Sequence, residues 1–152
     1  MPLLHELLVA GNDEDLAELY CAARDGDGDT LSALVLGGCE VNEMVFDESG
    51  WREAAIHAAA FNGRTGAVAI LCRAGADVNL RAPSGRTAAH WAAQRGQIHA
   101  LRALLARGAD ATVKDVNGVS PADEAEVYGH GDARRLLLEA AAVAPAGEER
   151  AE

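Results

Sequence analysis

Apolar and polar residues follow one another along this chain with the period of an amphipathic helix. In the segment QIHALRALLARGAD, the residues Leu101, Leu104 and Leu105 lie three and four positions apart and so share one face of a helix. Gly108 follows them, and a glycine at that place typically ends a helix. The alanine-rich segment just before, SGRTAAHWAAQRG, predicts a second short helix. Together the two segments predict a unit of helix, turn and helix.

The same arrangement recurs along the chain at nearly constant intervals. The glycines that separate the first helix of each unit from the second are spaced 37, 33 and 33 residues apart: Gly26, Gly63, Gly96 and Gly129. A similar sequence closes each unit, namely LVLGGCEVN at 34–42, LCRAGADVN at 71–79 and LLARGADAT at 104–112. Because a fixed period of this length is typical of stacked repeats, the chain is predicted to form one array of helix pairs.

The units resemble the ankyrin repeat family, whose pattern is roughly D-x-x-G-x-T-P-L-H-x-A-A-x-x-G, then a leucine helix, then G-A-D-V-N. The third unit matches this pattern at Gly85, Thr87, His90, Ala92, Ala93, Gly96, Leu101, Leu104 and 108–110. The second matches at Asp47, Gly50, Ile56, His57, Ala59, Ala60, Gly63, Val68, Leu71 and 75–79. Tyr20 and Asp123 replace the motif histidine in the first and last units. The resemblance covers about residues 14–142 and implies an all-α ankyrin repeat solenoid of stacked helix-turn-helix units with β-hairpin-like loops.

The register of the repeats divides the chain into a single ankyrin repeat domain at 1–142 and a short tail. We expect a cap helix at 2–12, repeats at about 13–42, 43–79, 80–112 and 113–142, and a disordered tail at 143–152. The second repeat carries four extra residues around EMVFDESGWREA, which predicts an enlarged hairpin with Phe46 and Trp51 on it. These two side chains are expected either to contact a partner or to pack the longer loop onto the array.

One acidic stretch, RDGDGDT, begins as a calcium-binding loop does, with Asp25, Asp27 and Asp29 two residues apart. A calcium loop that starts at Asp25 needs glycine at its sixth position and glutamate at its twelfth, where this chain has Thr30 and Leu36. We therefore interpret the stretch as the turn between two helices, with Asp29 as the N-cap of the second. No histidines or cysteines have the spacing of a zinc site either, so no metal site is predicted.

Charge is distributed unevenly along the chain, whose net charge is -11. Residues 1–50 carry -11, residues 51–112 carry +5 and residues 113–152 carry -5. A strongly acidic surface repels phosphate, so we expect no nucleic-acid partner, although the central arginines could meet an acidic partner. The N-terminus lacks the pattern of a signal peptide and no apolar run is long enough to span a membrane. These features predict a soluble cytoplasmic or nuclear protein without a membrane partner.

The residues that could carry chemistry have structural interpretations. His57 and His90 occupy the motif position, where the imidazole is expected to hydrogen-bond the backbone of neighbouring turns. Cys72 and His99 could in principle form a nucleophile and its base, but Cys72 is expected on a buried stripe with Leu71. The cysteines are expected to be reduced thiols. No nucleophile-elbow, phosphate-loop or dinucleotide motif is present, so we expect neither an enzyme nor a cofactor.

The resemblance implies protein binding through the concave face that the first helices and the hairpin tips form. Aromatic, arginine and small polar residues at the variable positions of that face are typical of a binding surface. The predicted contacts, whose side chains are expected to point outward, are Trp51, Phe61, Asn62, Arg86, Gln94, Arg95 and Tyr128. We therefore expect a monomeric, non-catalytic adaptor or inhibitor that binds an unidentified protein through repeats 2 and 3.

Two other functions stay open at this point. In both LVLGGCEVN and LCRAGADVN a leucine lies six residues before an acidic residue that Val-Asn follows. This resembles the sequence that asparaginyl hydroxylases prefer in ankyrin proteins, and it points to Asn42 and Asn79 as modified residues. A small-molecule or metal binder is the third possibility, and no motif supports it.

Overall fold

The computed structural model describes residues 2–46 and 49–150, with side chains described over 14–46 and 49–143. In this part of the chain the helices and strands are α1 (Pro2–Asp25), α2 (Gly28–Leu36), β1 (Met44–Phe46), β2 (Arg52–Ala54), α3 (Ala55–Phe61), α4 (Thr65–Arg73), α5 (Ala88–Arg95), α6 (Ile98–Ala106), α7 (Pro121–Val127) and α8 (Gly131–Arg150). The two strands form an antiparallel hairpin. Helices α1, α3, α5 and α7 pack in sequence as an inner row, and α2, α4, α6 and α8 pack behind them as an outer row. The predicted all-α solenoid of stacked helix pairs is confirmed.

The core of the array is built from alanine and leucine. Inner helices bury alanines, and small side chains let neighbouring helices approach closely; on α5 these residues are Ala88, Ala89, Ala92 and Ala93. Outer helices bury leucines such as Leu71, Leu101 and Leu104. The predicted stripe on α6 is therefore confirmed for Leu101 and Leu104, while Leu105 lies half-buried at its edge.

The turn glycines adopt the left-handed conformation. Gly96 shows why glycine is required, because its φ is +66° and a Cβ atom at this position would lie 2.6 Å from Nδ1 of His130. A side chain at this turn would therefore strain the backbone and also displace the histidine that crosses from the next repeat.

The N-cap of α2 is Asp27, so the prediction of Asp29 is wrong. The Asp27 carboxylate accepts a hydrogen bond of 2.6 Å from the Thr30 hydroxyl and one of 3.2 Å from the Thr30 backbone N–H. These two bonds, the side-chain one first, lower the pKa of Asp27. Asp29 is the second residue of the helix, where its negative charge still interacts favourably with the positive end of the helix dipole. Among the side chains that the structure describes, no three of His, Cys, Asp or Glu are grouped as a metal ion would need.

Helix lengths at the two ends of the chain differ from the sequence prediction. One continuous helix, α1, covers both the predicted cap helix at 2–12 and the first helix of repeat 1. Gly11, Asn12 and Asp13 are weak helix formers there; the glycine alone costs about 1 kcal/mol, which packing can offset. At the other end α8 continues to Arg150, through residues where we expected a disordered tail. No helix in the described part of the chain is long and apolar enough to cross a membrane.

The exposure of three side chains bears on the sequence prediction, namely Cys72, Phe46 and Trp51. Cys72 is half-buried rather than buried, because it lies beside Leu71 at the edge of the apolar stripe of α4. Phe46 and Trp51 both lie on the hairpin region and are 72% and 53% exposed. Asp47, which the family pattern placed in the same hairpin, lies outside the described residues.

Candidate functional site

His57 connects repeat 2 to repeat 3. Its Nδ1 accepts a hydrogen bond from the backbone N–H of Ala54 at 3.0 Å, so the ring carries its proton on Nε2, which donates to the carbonyl of Leu80 at 2.9 Å. Burial lowers the pKa of His57 to about 4. The neutral ring therefore satisfies one buried donor and one buried acceptor, as the family pattern implied.

His90 makes the same connection one repeat further on. It accepts from the backbone N–H of Thr87 at 3.0 Å and donates to the carbonyl of Val119 at 2.8 Å. In repeat 4 the corresponding residue is Asp123, whose carboxylate accepts from the backbone N–H of Ser120 at 3.0 Å. Aspartate thus keeps the local hydrogen bond of the motif histidine but has no ring N–H with which to reach a following repeat.

Asn42 and Asn79 join each repeat to the next at the other end of the helix pair. The Asn42 amide donates to the carbonyl of Gly75 at 3.2 Å, and its oxygen accepts from the backbone N–H of Asp77 at 2.7 Å. Asn79 makes the same two bonds, with the same lengths, one repeat further on. Both amides have a structural role, and hydroxylation of Asn42 or Asn79 stays a prediction.

A third series of hydrogen bonds fixes the ends of the inner helices. In each case the side chain that follows a turn glycine donates to a backbone carbonyl near the end of the preceding inner helix. The pairs are Arg64 to Arg24 at 3.1 Å, Gln97 to Phe61 at 3.2 Å and His130 to Gln94 at 3.0 Å. The helix ends that carry the predicted contacts are therefore held at a fixed spacing.

A cavity of about 340 Å³ opens between these helix ends and the hairpin. It lies on the face formed by the inner helices and the hairpin, which we call the concave face. The lining residues are aromatic or polar with one small exception: Tyr20, Arg24, Ser49, Trp51, Glu53, Ala58, Phe61, Asn62, Trp91 and Gln94. A depression with aromatic walls and a few polar groups is typical of a binding site.

Four side chains beside this cavity form what we call the arginine–aromatic stack: Arg95, Phe61, Trp91 and Arg86. The guanidinium carbon of Arg95 lies 4.8 Å from the centroid of the Phe61 ring. The Phe61 and Trp91 rings meet edge to face, with centroids 5.8 Å apart and planes at 82°. The guanidinium carbon of Arg86 lies 4.1 Å from the Trp91 centroid. Each of these contacts favours the observed side-chain orientation by about 0.5–1.5 kcal/mol.

Arg86 does not point outward as predicted. Its Nη1 forms an ion pair with Oε1 of Glu124 at 3.1 Å, and its Nη2 donates to Oε1 of Gln94 at 3.2 Å. The side chains of Arg86 and Glu124 are only 16% and 10% exposed. Arg86 therefore connects repeat 3 to repeat 4 and supports the Trp91 ring from within the protein.

The other predicted contacts divide into two groups. Four of them line the cavity, and Arg95 is exposed at its rim above the Phe61 ring; the four are Trp51, Phe61, Asn62 and Gln94. Tyr128 lies elsewhere, at the C-terminal end of α7, and is 53% exposed.

Sequence reasoning missed Tyr20 and Trp91 as parts of the cavity wall. Tyr20 was interpreted only as a replacement of the motif histidine. A tryptophan on the first helix of a repeat is expected by default to pack between repeats, which is half of the role of Trp91, because its ring contacts Phe61 and Arg86 and also faces the cavity. The repeat period places Trp91 at the position of Ala58 in the preceding repeat, and Ala58 also lines the cavity. Alignment of the repeats therefore indicates that both residues lie on the same face.

Helix pairs stacked in two rows, left-handed glycine turns and side chains that bridge successive units define a repeat protein of the solenoid class. A family model described as ankyrin repeats (3 copies) matches residues 19–115 and 56–145. The chain belongs to the ankyrin repeat family, and the resemblance in its sequence is confirmed. A comparison with curated proteins found no match.

Proposed function

We propose that this protein is a non-catalytic adaptor or inhibitor that binds a partner protein through the concave face of repeats 2 and 3. Ankyrin repeats are general protein-interaction modules, which supports protein binding in general. The finer proposal is carried by one observation, the aromatic cavity with the arginine–aromatic stack beside it. Tryptophan and arginine are enriched among the residues that dominate binding energy at protein interfaces.

Each side chain at the cavity has a distinct role in this proposal. Trp51 and Phe61 offer apolar area to a side chain of the partner, and Asn62 and Gln94 offer polar groups that fix its orientation. Arg95, exposed at the rim, offers a charge. Tyr128 would contact the partner only if the interface extends along the concave face to repeat 4.

The acidic N-terminal part of the chain is the competing surface. Residues 1–50 carry a net charge of -11, and Glu14, Asp15 and Glu18 are all exposed on α1. Charges at the edge of an interface change mainly the association rate and its salt dependence. We therefore assign these residues to solubility and to steering rather than to the centre of the interface.

The experiment begins with capture of the native partner on the tagged protein and its identification by mass spectrometry. Calorimetric titration then compares Phe61→Ala and Arg95→Ala with the wild type, and each substitution is expected to weaken binding by on the order of 2 kcal/mol. Arg102→Ala is the matched control, because Arg102 is exposed on the outer helix α6. Circular dichroism checks that every variant is folded.

The opposite result of these calorimetric titrations would place the binding site at the acidic N-terminal end of the protein. In that case Phe61→Ala and Arg95→Ala bind as the wild type does, while joint neutralisation of Glu14, Asp15 and Glu18 abolishes binding.

A further inference from the structure

The two arginines of the arginine–aromatic stack differ in what pairs with them. The guanidinium of Arg86 has partners inside the protein, the Glu124 carboxylate at 3.1 Å and the Gln94 amide at 3.2 Å. Arg95 is exposed, and among the side chains that the structure describes no carboxylate forms an ion pair with it. The stack thus has one end, at Arg86, whose charge is paired inside the protein although its Nε finds no hydrogen-bond acceptor among the described residues, and one end, at Arg95, that faces solvent.

The contact with Phe61 orients the Arg95 side chain before any partner arrives. The guanidinium carbon lies over the ring at 4.8 Å from its centroid, and no described residue takes up the N–H groups in a hydrogen bond or an ion pair. A planar guanidinium presents these donors in a fork that matches both oxygens of a carboxylate. Because stacking already restricts the side chain, less conformational entropy is lost when an anion binds.

Exposed Arg95, and the arginines already packed on the aromatic rings, favour an anionic rather than a cationic side chain of the partner. Arg24 is already paired with Asp25 at 3.1 Å, and Glu53 is the acidic side chain among the described residues that line the cavity, so the positive charge that faces solvent beside the cavity is that of Arg95. Residues 51–112 as a whole carry a net charge of +5. A cationic side chain of a partner would also meet Phe61 and Trp91 rings that each already carry an arginine on one face.

We propose that the partner segment presents an aspartate or glutamate side chain to Arg95 and places a neighbouring bulky apolar side chain in the cavity beside Trp51 and Phe61. This inference rests on the proposed function and specifies the chemistry of the same site. Arg86 is a positioning residue in this arrangement, because it holds the Trp91 ring against which Phe61 packs and does not itself contact the partner.

A peptide library tests this directly, since it needs no knowledge of the native partner. Random peptides displayed on phage are selected on immobilised wild-type protein, on Arg95→Glu and on the matched charge-reversal control Arg102→Glu. We expect the wild type and Arg102→Glu to select peptides in which Asp or Glu stands close to a leucine, methionine or aromatic residue. Arg95→Glu is expected to lose these peptides and to select lysine or arginine in place of the acidic residue.

Synthetic versions of the selected peptides give the affinities. Fluorescence anisotropy should show a loss of about tenfold or more for the wild-type peptide on Arg95→Glu, and a similar loss when the acidic residue of the peptide is replaced by its amide. The same peptide should bind Arg102→Glu as it binds the wild type.

The possible results distinguish a wrong binding site from a wrong chemistry of the partner. If no selected peptide depends on Phe61, as judged with Phe61→Ala, the concave site itself is wrong. If the peptides depend on Phe61 but bind Arg95→Glu unchanged, or carry basic residues on the wild type, the site stands and the acidic partner is wrong.

Discussion

Arg86 and Glu124 form an ion pair of 3.1 Å between repeats 3 and 4, with both side chains largely withdrawn from solvent. The guanidinium also lies 4.1 Å from the centroid of Trp91, so a single residue connects the ion pair to the aromatic wall of the cavity. A pair this buried needs both partners, because a charge left without its partner keeps the cost of desolvation and loses the compensating attraction.

We therefore predict that Arg86→Ala lowers the free energy of unfolding by about 3 kcal/mol, the low end for a buried pair because some exposure remains. The double variant Arg86→Met with Glu124→Met should recover much of this loss, since neither charge is then left alone. Urea denaturation measures both. A double variant that is less stable than Arg86→Ala would contradict the assignment.

Leu104→Ala should destabilise the array strongly. Leu104 is fully buried on α6, so its removal leaves a cavity and lowers the free energy of unfolding by about 2–5 kcal/mol. The matched control is Leu36→Ala, because Leu36 ends α2 and is 87% exposed. Chemical denaturation compares the two variants, and equal midpoints would contradict the repeat register.

Stability should fall when the pH drops from about 6.5 towards 4. Burial lowers the pKa of His57 to about 4 and also lowers the pKa of His90, so both rings resist protonation in the folded protein while the unfolded chain takes up protons. The unfolded state then binds more protons, and each histidine contributes a slope of at most about 1.4 kcal/mol per pH unit in this window. The lowered pKa of Asp27 adds a loss only below its ordinary value of 3.8.

Denaturation midpoints at neutral pH and at about pH 5 measure this effect. His99→Ala serves as the control, because His99 is exposed and makes none of the hydrogen bonds between repeats that His57 and His90 make. A midpoint that stays constant across this interval would show that the two buried rings are protonated in the folded state.

Asn79→Ala should weaken the junction between repeats 2 and 3. The substitution removes two hydrogen bonds of 3.2 and 2.7 Å, and each such bond contributes about 0.5–1.5 kcal/mol. Amide hydrogen exchange is expected to rise at Asp110, whose N–H loses its acceptor. Asn117→Ala, at an exposed hairpin position, should change neither stability nor exchange.

Calcium at millimolar concentration should leave the thermal midpoint unchanged. Asp27 already accepts two hydrogen bonds from Thr30, and a ligand that binds only the folded state would raise the midpoint by mass action. Asp27→Ala should itself lower stability through loss of the N-cap. An upward shift with calcium that Asp27→Ala abolishes would restore the metal-loop interpretation of RDGDGDT.

The parts of the fold that sequence predicted correctly depend on local rules. The leucine spacing predicted the buried face of α6. The position of Gly96 between two helices predicted a turn, and the left-handed conformation of that turn explains why the residue is glycine. The prediction of Asp29 as N-cap missed Asp27 by two residues, because aspartate is a good cap at either position and a shift of one or two residues at a helix end depends on details of the turn.

The site was predicted less completely because its geometry arises between repeats. Sequence placed Arg86 on the concave face but could not show that Glu124, one repeat further on, draws it inward. Trp91 likewise forms part of the cavity wall together with Phe61 of the preceding repeat, against which its ring packs. Such pairs become visible only after the repeats are aligned in register and stacked.

The hydrogen bonds of Asn42 and Asn79 are directional, because each side chain bonds to the repeat that follows it in the chain. Each asparagine side chain bonds to the backbone of the Gly-Ala-Asp exit in the next repeat, as Asn79 does with 108–110. At the next junction Thr112 replaces the asparagine, and its hydroxyl turns back to the Asp110 carboxylate of its own repeat. Residues 141–143, at the corresponding exit of repeat 4, read Ala-Ala-Val. Inserting a copy of repeat 2 within the array would therefore reproduce this asparagine bond, whereas repeat 4 joins repeat 3 without it, through the contacts of His90 and Arg86.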